Sequence, residues 1–292
     1  MKTYSQMFLG FFIIILMVGA CLLNQKYQWI DFSFLSDKEI TEEEKNDAAG
    51  QIREAMLAGE TEVTIRISGT IDSIESFSEE IIEAAFQIDD EATSDDFDYL
   101  RYKYNGADIH MKGFGNSYEL QYRFRYLESA VETQMVNERV KEVLKDLNLE
   151  GKSDYKTVKA VHDFIIENSQ YDISTNQNSA YGCLIGRYSA CQGYAALTYK
   201  MMTEAGIECR VITGVSENVG HAWNIVKVNG KWYYLDTTWD DPIGTGISKS
   251  AHYAFFLKGK INFKDHVQDE KFNKKEFSEK YPVELNDFGR NS

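Results

Sequence analysis

Two strand-forming runs that flank an Asn-Gly pair constrain the fold of this sequence more than any other feature. The first run covers residues 221–228 and the second covers residues 231–236. Asn-Gly between such runs predicts a hairpin with a two-residue type I′ turn, and a turn of that length fixes the register of the strands. Val228 is then expected opposite Lys231, and the pairing of the other residues follows.

This register predicts a histidine and a carboxylate on one face of the hairpin. Because side chains alternate between the two faces of a strand, His221, Trp223 and Asp236 are expected to point to the same side. Diagonal neighbours on one face are roughly 7–8 Å apart at the backbone, a gap that side chains can span. Asp236 can therefore accept a hydrogen bond from one imidazole nitrogen of His221. The other nitrogen is then left to exchange a proton with a nucleophile.

A cysteine stands at the predicted start of a helix. Ser189 and Gln192 have the spacing of a capping box, and the helix that follows is expected to end at Gly206. Cys191 would then lie in the first turn, where unpaired backbone N–H groups and the positive end of the helix dipole favour a thiolate. The same N–H groups could receive a developing oxyanion. This position suits a nucleophile, whereas a single free cysteine is more often a small buried thiol.

Three motifs in this order resemble the core of the transglutaminase-like superfamily of papain-like Cys-His-Asp enzymes. They are Cys191-Gln192-Gly193-Tyr194, His221-Ala222-Trp223-Asn224 and Asp236-Thr237-Thr238-Trp239-Asp240-Asp241-Pro242. The resemblance covers about residues 155–265. It implies an α+β fold in which a helix bearing the cysteine packs on an antiparallel sheet bearing the histidine and the aspartate. A small α+β domain would precede this core.

The resemblance also implies roles for the three residues. Cys191 takes the position of the nucleophile, His221 that of the base and Asp236 that of the orienting carboxylate. Such enzymes attack a carboxamide or amide bond and form a thioester. Water then completes hydrolysis, or an amine completes transamidation. We expect hydrolysis slightly more than transamidation, because the sequence shows no feature that would exclude water from a thioester.

Four further residues are candidates for the oxyanion hole or the substrate groove. Gln192 and Tyr181 are candidates for completing the oxyanion hole, although a capping role or simple packing explains them equally well. Trp223 and Trp239 are candidates for lining the groove, although core or hairpin packing is at least as common for tryptophan. We expect no cofactor, because the chain is too short for the extra β domains and calcium sites of the animal transglutaminases.

Two other functions fit part of the pattern. A cell-surface binding or scaffolding module could keep the transglutaminase-like fold without turnover. A metal site could use donors from Cys183, Cys191, Cys209 and His221, but these lack the C-x-x-C or H-x-x-x-H spacing of metal ligands, so we expect no metal. Cys183 and Cys209 could instead form a disulfide, and the sequence leaves this open.

The amino terminus is an apolar run that indicates export. Residues 1–23 combine Lys2 with an apolar stretch that is long enough for a signal peptide and at the lower limit for spanning a bilayer. Val18-Gly19-Ala20-Cys21 resembles a bacterial lipobox, which makes Cys21 a candidate for lipidation. The two leucines that follow favour an uncleaved signal anchor instead. Both interpretations predict an extracytoplasmic protein that is tethered to the membrane.

The composition limits the partners of the rest of the chain. With 46 acidic and 31 basic residues, the formal net charge is −15, which argues against nucleic acid as the main partner. We expect a peptide or protein substrate at the cell surface, and contact with the membrane only through the amino terminus. The remaining chain divides into a tether over residues 24–40, a small α+β domain over 41–127 and the catalytic domain over 128–292.

Local patterns predict the elements of these domains. In the small domain, helices are expected over residues 41–58 and 78–86. Strands are expected over residues 63–67, 99–104, 108–111 and 117–126. In the catalytic domain, apolar spacing predicts a helix from residue 130 to 147 and a second one ending near residue 168. His162 falls on the apolar face of the second helix, which favours a core or groove position over a catalytic one.

Overall fold

The computed structural model describes residues 39–241 and 251–289. The predicted signal peptide or anchor, Cys21 and most of the predicted tether lie outside the described residues. In the two described stretches, every helix is too short or too polar to cross a membrane.

The first part of the chain is a three-stranded antiparallel sheet with helices packed on it. In chain order, its elements are α1 (Glu42–Leu57), β1 (Glu62–Ser68), α2 (Ile71–Gln87), α3 (Phe97–Lys103), β2 (Tyr104–Phe114) and β3 (Ser117–Tyr126). The strand β3 lies in the middle of the sheet, between β1 and β2. The strands predicted over residues 63–67, 108–111 and 117–126 are confirmed.

Side-chain caps set where the first two helices begin. Thr41 and Glu44 form a complete capping box at the start of α1, as the sequence predicts. The helix α2 begins at Ile71, about two turns before the predicted Ser78. The earlier start follows from Thr70, whose hydroxyl accepts a hydrogen bond from the backbone three residues further on.

The predicted strand over residues 99–104 is wrong, because most of this segment is the helix α3. Leu100 packs into the core of the first part of the chain, whereas Phe97, Tyr99 and Tyr102 pack into the core of the second part. A helix can direct side chains to two such cores at once. Burial on both sides therefore outweighs the strand preference of the tyrosines.

The second part of the chain combines helices with a four-stranded antiparallel sheet. Its elements are α4 (Ala130–Asp146), α5 (Asp154–Asn168), β4 (Gln170–Tyr171), α6 (Ala180–Leu184), β5 (Tyr188–Ser189), α7 (Cys191–Glu204), β6 (Cys209–Ser216), β7 (Val219–Val228), β8 (Lys231–Leu235), a 3-10 turn (Ala251–Tyr253), β9 (His266–Gln268), α8 (Glu270–Asn273) and α9 (Lys275–Lys280). The strand order is β8-β7-β6-β9, with antiparallel neighbours throughout.

The hairpin of β7 and β8 has the predicted register. Val228 pairs with Lys231, and Asn224 pairs with Leu235. Asn229 and Gly230 have φ angles of 51° and 79°, the left-handed conformation that a type I′ turn requires. The turn chemistry therefore fixes which side chains share each face of the sheet.

The two faces of this sheet have different neighbours. On one face, Ala222 and Val226 belong to the large core that includes α7, and the Asn224 amide donates a hydrogen bond to a carbonyl of that helix. On the other face, Trp223 and Ile225 pack in a smaller cluster. A helix that begins with Cys191 thus packs on an antiparallel sheet, which confirms the predicted α+β fold.

Candidate active site

Cys191 is the first residue of α7, and its side chain is half-buried. The chain packs closely at this turn. A Cβ atom on Gly193 would overlap with the Ser189 hydroxyl and the Ser179 carbonyl, so only glycine fits there. The cysteine is therefore presented at a helix start that lies directly against the preceding segment.

The predicted capping box at this helix start is wrong. The residue at the N-cap is Ala190, which has no side-chain hydrogen bond to the helix. The Ser189 hydroxyl instead donates to the Gln177 carbonyl at 3.0 Å, and the Gln192 amide donates to the Tyr102 carbonyl at 2.8 Å. Both polar side chains are bound to neighbouring segments, so the first-turn N–H groups receive no side-chain cap from this pair.

His221 and Asp236 meet as the hairpin register predicts. The Nε2 atom of His221 lies 2.6 Å from Oδ2 of Asp236. The carboxylate is fully buried and the histidine is 9% exposed. The imidazole also interacts with the Cys191 side chain, and since Nε2 is used by Asp236, Nδ1 is the nitrogen left for the sulfur. The structure therefore brings the three predicted residues together.

These contacts set the charge of the site. Burial opposes protonation of His221, but interactions with Asp236 and Cys191 outweigh it and raise the pKa of the imidazole to about 9. Burial would raise the pKa of Asp236, but hydrogen bonds from two histidines lower it to about 2. At neutral pH the site thus holds an imidazolium between a carboxylate and a sulfur atom.

The second of these histidines, His266, was missed from the sequence. Its Nε2 atom lies 2.9 Å from the same Asp236 oxygen that His221 contacts. It stands on β9, which pairs with β6 so that Ser216 is opposite His266 and Gly214 is opposite His221. A three-residue strand carries almost no periodicity, and no turn of known length links it to the hairpin. The sequence therefore offers no signal for this contact.

The other oxygen of Asp236 is held by the backbone. Oδ1 accepts hydrogen bonds from the N–H groups of Thr238 at 2.9 Å and Trp239 at 3.1 Å. These are the residues that follow the aspartate in its motif. The turn therefore fixes the carboxylate plane and leaves Oδ2 to the histidines.

The four further candidates occupy two kinds of position. The rings of Trp223 and Trp239 lie 5.8 Å and 6.0 Å from the His221 ring, so both flank the imidazole, and Trp223 is buried. The Gln192 amide is bound to α3, as described above. Tyr181 lies in α6, where its backbone N–H donates to the Glu128 carboxylate.

His221, Asp236 and His266 also form a possible set of metal ligands. One donor atom from each lies within 4.8 Å of the other two. The sequence predicts no metal, and the donor atoms of this set are hydrogen-bonded to one another. Hydrogen bonding between the groups thus accounts for their arrangement without an ion.

Cys183 and Cys209 are free, buried thiols, so the disulfide that the sequence left open is not formed. Burial raises the pKa of Cys183 to about 12, although a hydrogen bond with Ser169 opposes the shift. Burial also raises the pKa of Cys209. Of these three cysteines, only Cys191 is partly exposed.

His162 lies in a second histidine–carboxylate cluster. Its Nδ1 atom is 3.1 Å from Asp163, and its Nε2 atom is 3.1 Å from Asp240. Both ring nitrogens are therefore occupied by carboxylates. The histidine is fully buried, in agreement with the predicted core position.

A half-buried cysteine at a helix start beside a histidine–aspartate pair on a sheet is the arrangement of papain-like cysteine enzymes. Residues 141–237 match the model of the transglutaminase-like superfamily. The resemblance to this superfamily that the three motifs predict is therefore confirmed.

Individual proteins that are similar in sequence or structure share less than 30% identity with this chain. The chain is 28% identical over 162 residues to the kyphoscoliosis peptidase of Mus musculus and 29% identical over 144 residues to that of Homo sapiens. These matches cover 49% and 43% of this chain but only 24% and 21% of the relatives. The crystal structure of a TGase matches with a TM-score of 0.36 and 12% identity over 66% of each chain.

Proposed function

We propose that this protein is a cysteine-dependent acyl-transfer enzyme that acts on amide or carboxamide bonds of peptides or proteins. The observation that carries the proposal is the position of His221, with one ring nitrogen on Asp236 and the other toward Cys191. A histidine in this position can pass a proton between the sulfur and a leaving group while the carboxylate holds its orientation.

The proposed reaction has two steps. The Cys191 thiolate attacks the carbonyl carbon, and the His221 imidazolium gives its proton to the departing amine as the C–N bond breaks. The neutral imidazole then takes a proton from water, whose oxygen attacks the thioester carbon and releases the thiolate and a carboxylic acid. An amine in place of water would give transamidation. Backbone N–H groups at the start of α7 are the candidate oxyanion donors.

Hydrolysis is the favoured outcome in this proposal. The curated relatives carry the name peptidase, and their similarity supports a peptide or protein as substrate. The half-buried Cys191 leaves the thioester within reach of water. The chain spans about a quarter of the length of these relatives, so their similarity supports only the class of reaction and of substrate in this proposal.

The proposed location is outside the cytoplasm, at the membrane. Its support is the apolar run in residues 1–23, which fits a signal peptide with a lipidated Cys21 or an uncleaved anchor. The net charge of −15 supports a partner other than nucleic acid.

Mass spectrometry of a peptide mixture incubated with the protein and a primary amine tests this proposal. Cleavage of a peptide bond adds about 18 mass units over the two fragments, and hydrolysis of a side-chain carboxamide adds about 1 mass unit to the peptide, because ammonia leaves. Amine transfer instead replaces ammonia by the amine. We expect hydrolysis products that disappear in Cys191→Ala and persist in Cys209→Ala, a matched loss of a buried thiol. Products that persist in Cys191→Ala would contradict the role of the cysteine as nucleophile. Absence of products from the folded native protein would favour a non-catalytic scaffold.

A further inference from the structure

We infer that His266 is a positioning residue of this site, which holds the Asp236 carboxylate ionised and aimed at His221. This inference deepens the proposed function and rests on it. His266 lies beyond the residues that match the superfamily model, which end at Thr237. His266 contacts Asp236, which contacts His221, which in turn interacts with Cys191. His266 therefore acts on the chemistry through other residues.

The hydrogen bonds of Asp236 carry the inference. Oδ2 lies 2.6 Å from Nε2 of His221 and 2.9 Å from Nε2 of His266, while Oδ1 accepts two backbone N–H groups. The carboxylate is fully buried. An ionised carboxylate only accepts hydrogen bonds, so each histidine must carry its proton on Nε2. Over residues 39–241 and 251–289, His266 thereby supplies one of the two side-chain donors that compensate the buried charge.

The surroundings hold the His266 ring in place. Its side chain is fully buried, and the ring stacks on Phe263 with centroids 4.0 Å apart. The ring centroids of Trp223 and Trp239 lie 5.0 Å and 5.1 Å from that of His266. Among the residues that the structure describes, the buried Nδ1 atom of His266 has no hydrogen-bond partner. Within this part of the chain, the polar contact of the ring is the one with Asp236, which explains a histidine in an otherwise aromatic setting.

The charged groups around Asp236 predict what this contact does. His221 and His266 face the carboxylate directly, Cys191 faces His221, and the Asp240 carboxylate is close enough to interact with Asp236 by charge. Burial and Asp240 both favour a protonated Asp236, whereas the two histidines oppose it. Without His266, the pKa of Asp236 should rise, and His221 should lose its anionic partner at a higher pH.

The rate at which iodoacetamide alkylates Cys191, measured against pH, tests this inference in the full chain. The variants are His266→Phe, which keeps an aromatic ring, and His266→Gln, which keeps an N–H donor. Peptide mapping separates Cys191 from Cys183 and Cys209. In His266→Phe we expect the acid limb of the profile to move up by about one pH unit or more, and in His266→Gln we expect it to return toward that of the native protein.

Three results would be decisive. A His266→Phe profile that is lower at every pH but unshifted, or identical to the native one, overturns the positioning role. If Cys191 in the native protein labels no faster than Cys209, the proposed function fails and His266 is not the reason. Should His266→Phe not fold, ¹H–¹⁵N spectra of the native histidines decide: a proton on Nε2 of His266 supports the inference, and an unprotonated Nε2 contradicts it.

Discussion

The two histidine–carboxylate clusters of this protein look alike but differ in what occupies the second ring nitrogen. His162 and His221 are both buried, and carboxylates raise the pKa of both imidazoles against the effect of burial. His162 has a carboxylate on each nitrogen, whereas His221 has Asp236 on one and the Cys191 sulfur toward the other. A histidine–aspartate contact alone therefore does not define a reactive site, because the third neighbour decides what the ring can exchange.

The His162 cluster also supports the His221 cluster. Asp240 accepts a hydrogen bond from the Phe255 backbone at 2.8 Å and from His162, and its own N–H donates to the Asp236 carbonyl. The turn that carries the Asp236 carboxylate is thus fixed by Asp240, which is itself paired with the buried His162. The proposed function assigns chemistry to the His221 cluster and leaves stability to the His162 cluster, and matched substitutions test this division.

Alanine at either histidine should separate the two roles most strongly. His221→Ala should lower turnover per folded molecule on the order of 10³-fold or more, because the ring that exchanges the proton is removed. His162→Ala leaves the buried Asp240 without its side-chain partner and should cost about 2–4 kcal/mol of unfolding free energy. Cys191 labelling in the folded fraction should then stay native. Equal losses of turnover per folded molecule would contradict the division.

Substitutions of Asp236 and Asp240 should show the same division between turnover and stability. Asp236→Asn keeps the shape of the side chain but favours the wrong imidazole tautomer, so we expect turnover to fall about 10²–10⁴-fold. Asp240→Asn should lower the melting temperature and change the rate far less. Turnover and differential scanning calorimetry on both variants provide the check, and a native rate in Asp236→Asn would remove the orienting role.

The pH dependence of stability should show the His221–Asp236 pair directly. The folded-state pKa of His221, about 9, lies above its ordinary value of 6.5, so its stabilisation is complete below pH 6.5 and is lost as pH rises through about 9. The folded-state pKa of Asp236, about 2, lies below its ordinary value of 3.8. The ionised carboxylate therefore stabilises the fold above pH 3.8, and this stabilisation is lost as pH falls through about 2. Chemical denaturation at a series of pH values measures the free energy of unfolding. The difference in this free energy between the native protein and His221→Ala should become smaller from pH 6.5 to pH 9.

The smallest effect is expected at the rim of the His162 cluster. Lys159 forms an ion pair with Asp163 one helical turn away, and its side chain is 38% exposed. Such pairs contribute a few tenths of a kcal/mol at most. Lys159→Met should therefore shift the melting temperature by about one or two degrees and leave Cys191 labelling unchanged. A change in labelling would show that the two clusters are coupled more tightly than their contacts imply.

Local signals account for what the sequence could predict. The hairpin depends on an Asn-Gly turn and on alternation, both of which act over a few residues, so the meeting of His221 and Asp236 was predictable. The partners of Ser189 and Gln192 were not, because Gln177 and Tyr102 are distant in sequence. The contact between His266 and Asp236 could not be predicted for the same reason. The helix α3 forms because its side chains are buried on two sides, which no local pattern reveals.

The position of α3 has a consequence for how the chain could be shortened or recombined. Asp98 on this helix receives two hydrogen bonds from Arg210 of β6, and the Tyr102 carbonyl receives the amide of the residue next to Cys191. A fragment that begins at residue 128 would lack Asp98, the partner of the Arg210 guanidinium, and the carbonyl that binds the Gln192 amide next to Cys191. The second part of the chain is therefore expected to lose stability when it is separated from the first. Exchanging the first part would also alter the segment that the residue next to Cys191 contacts.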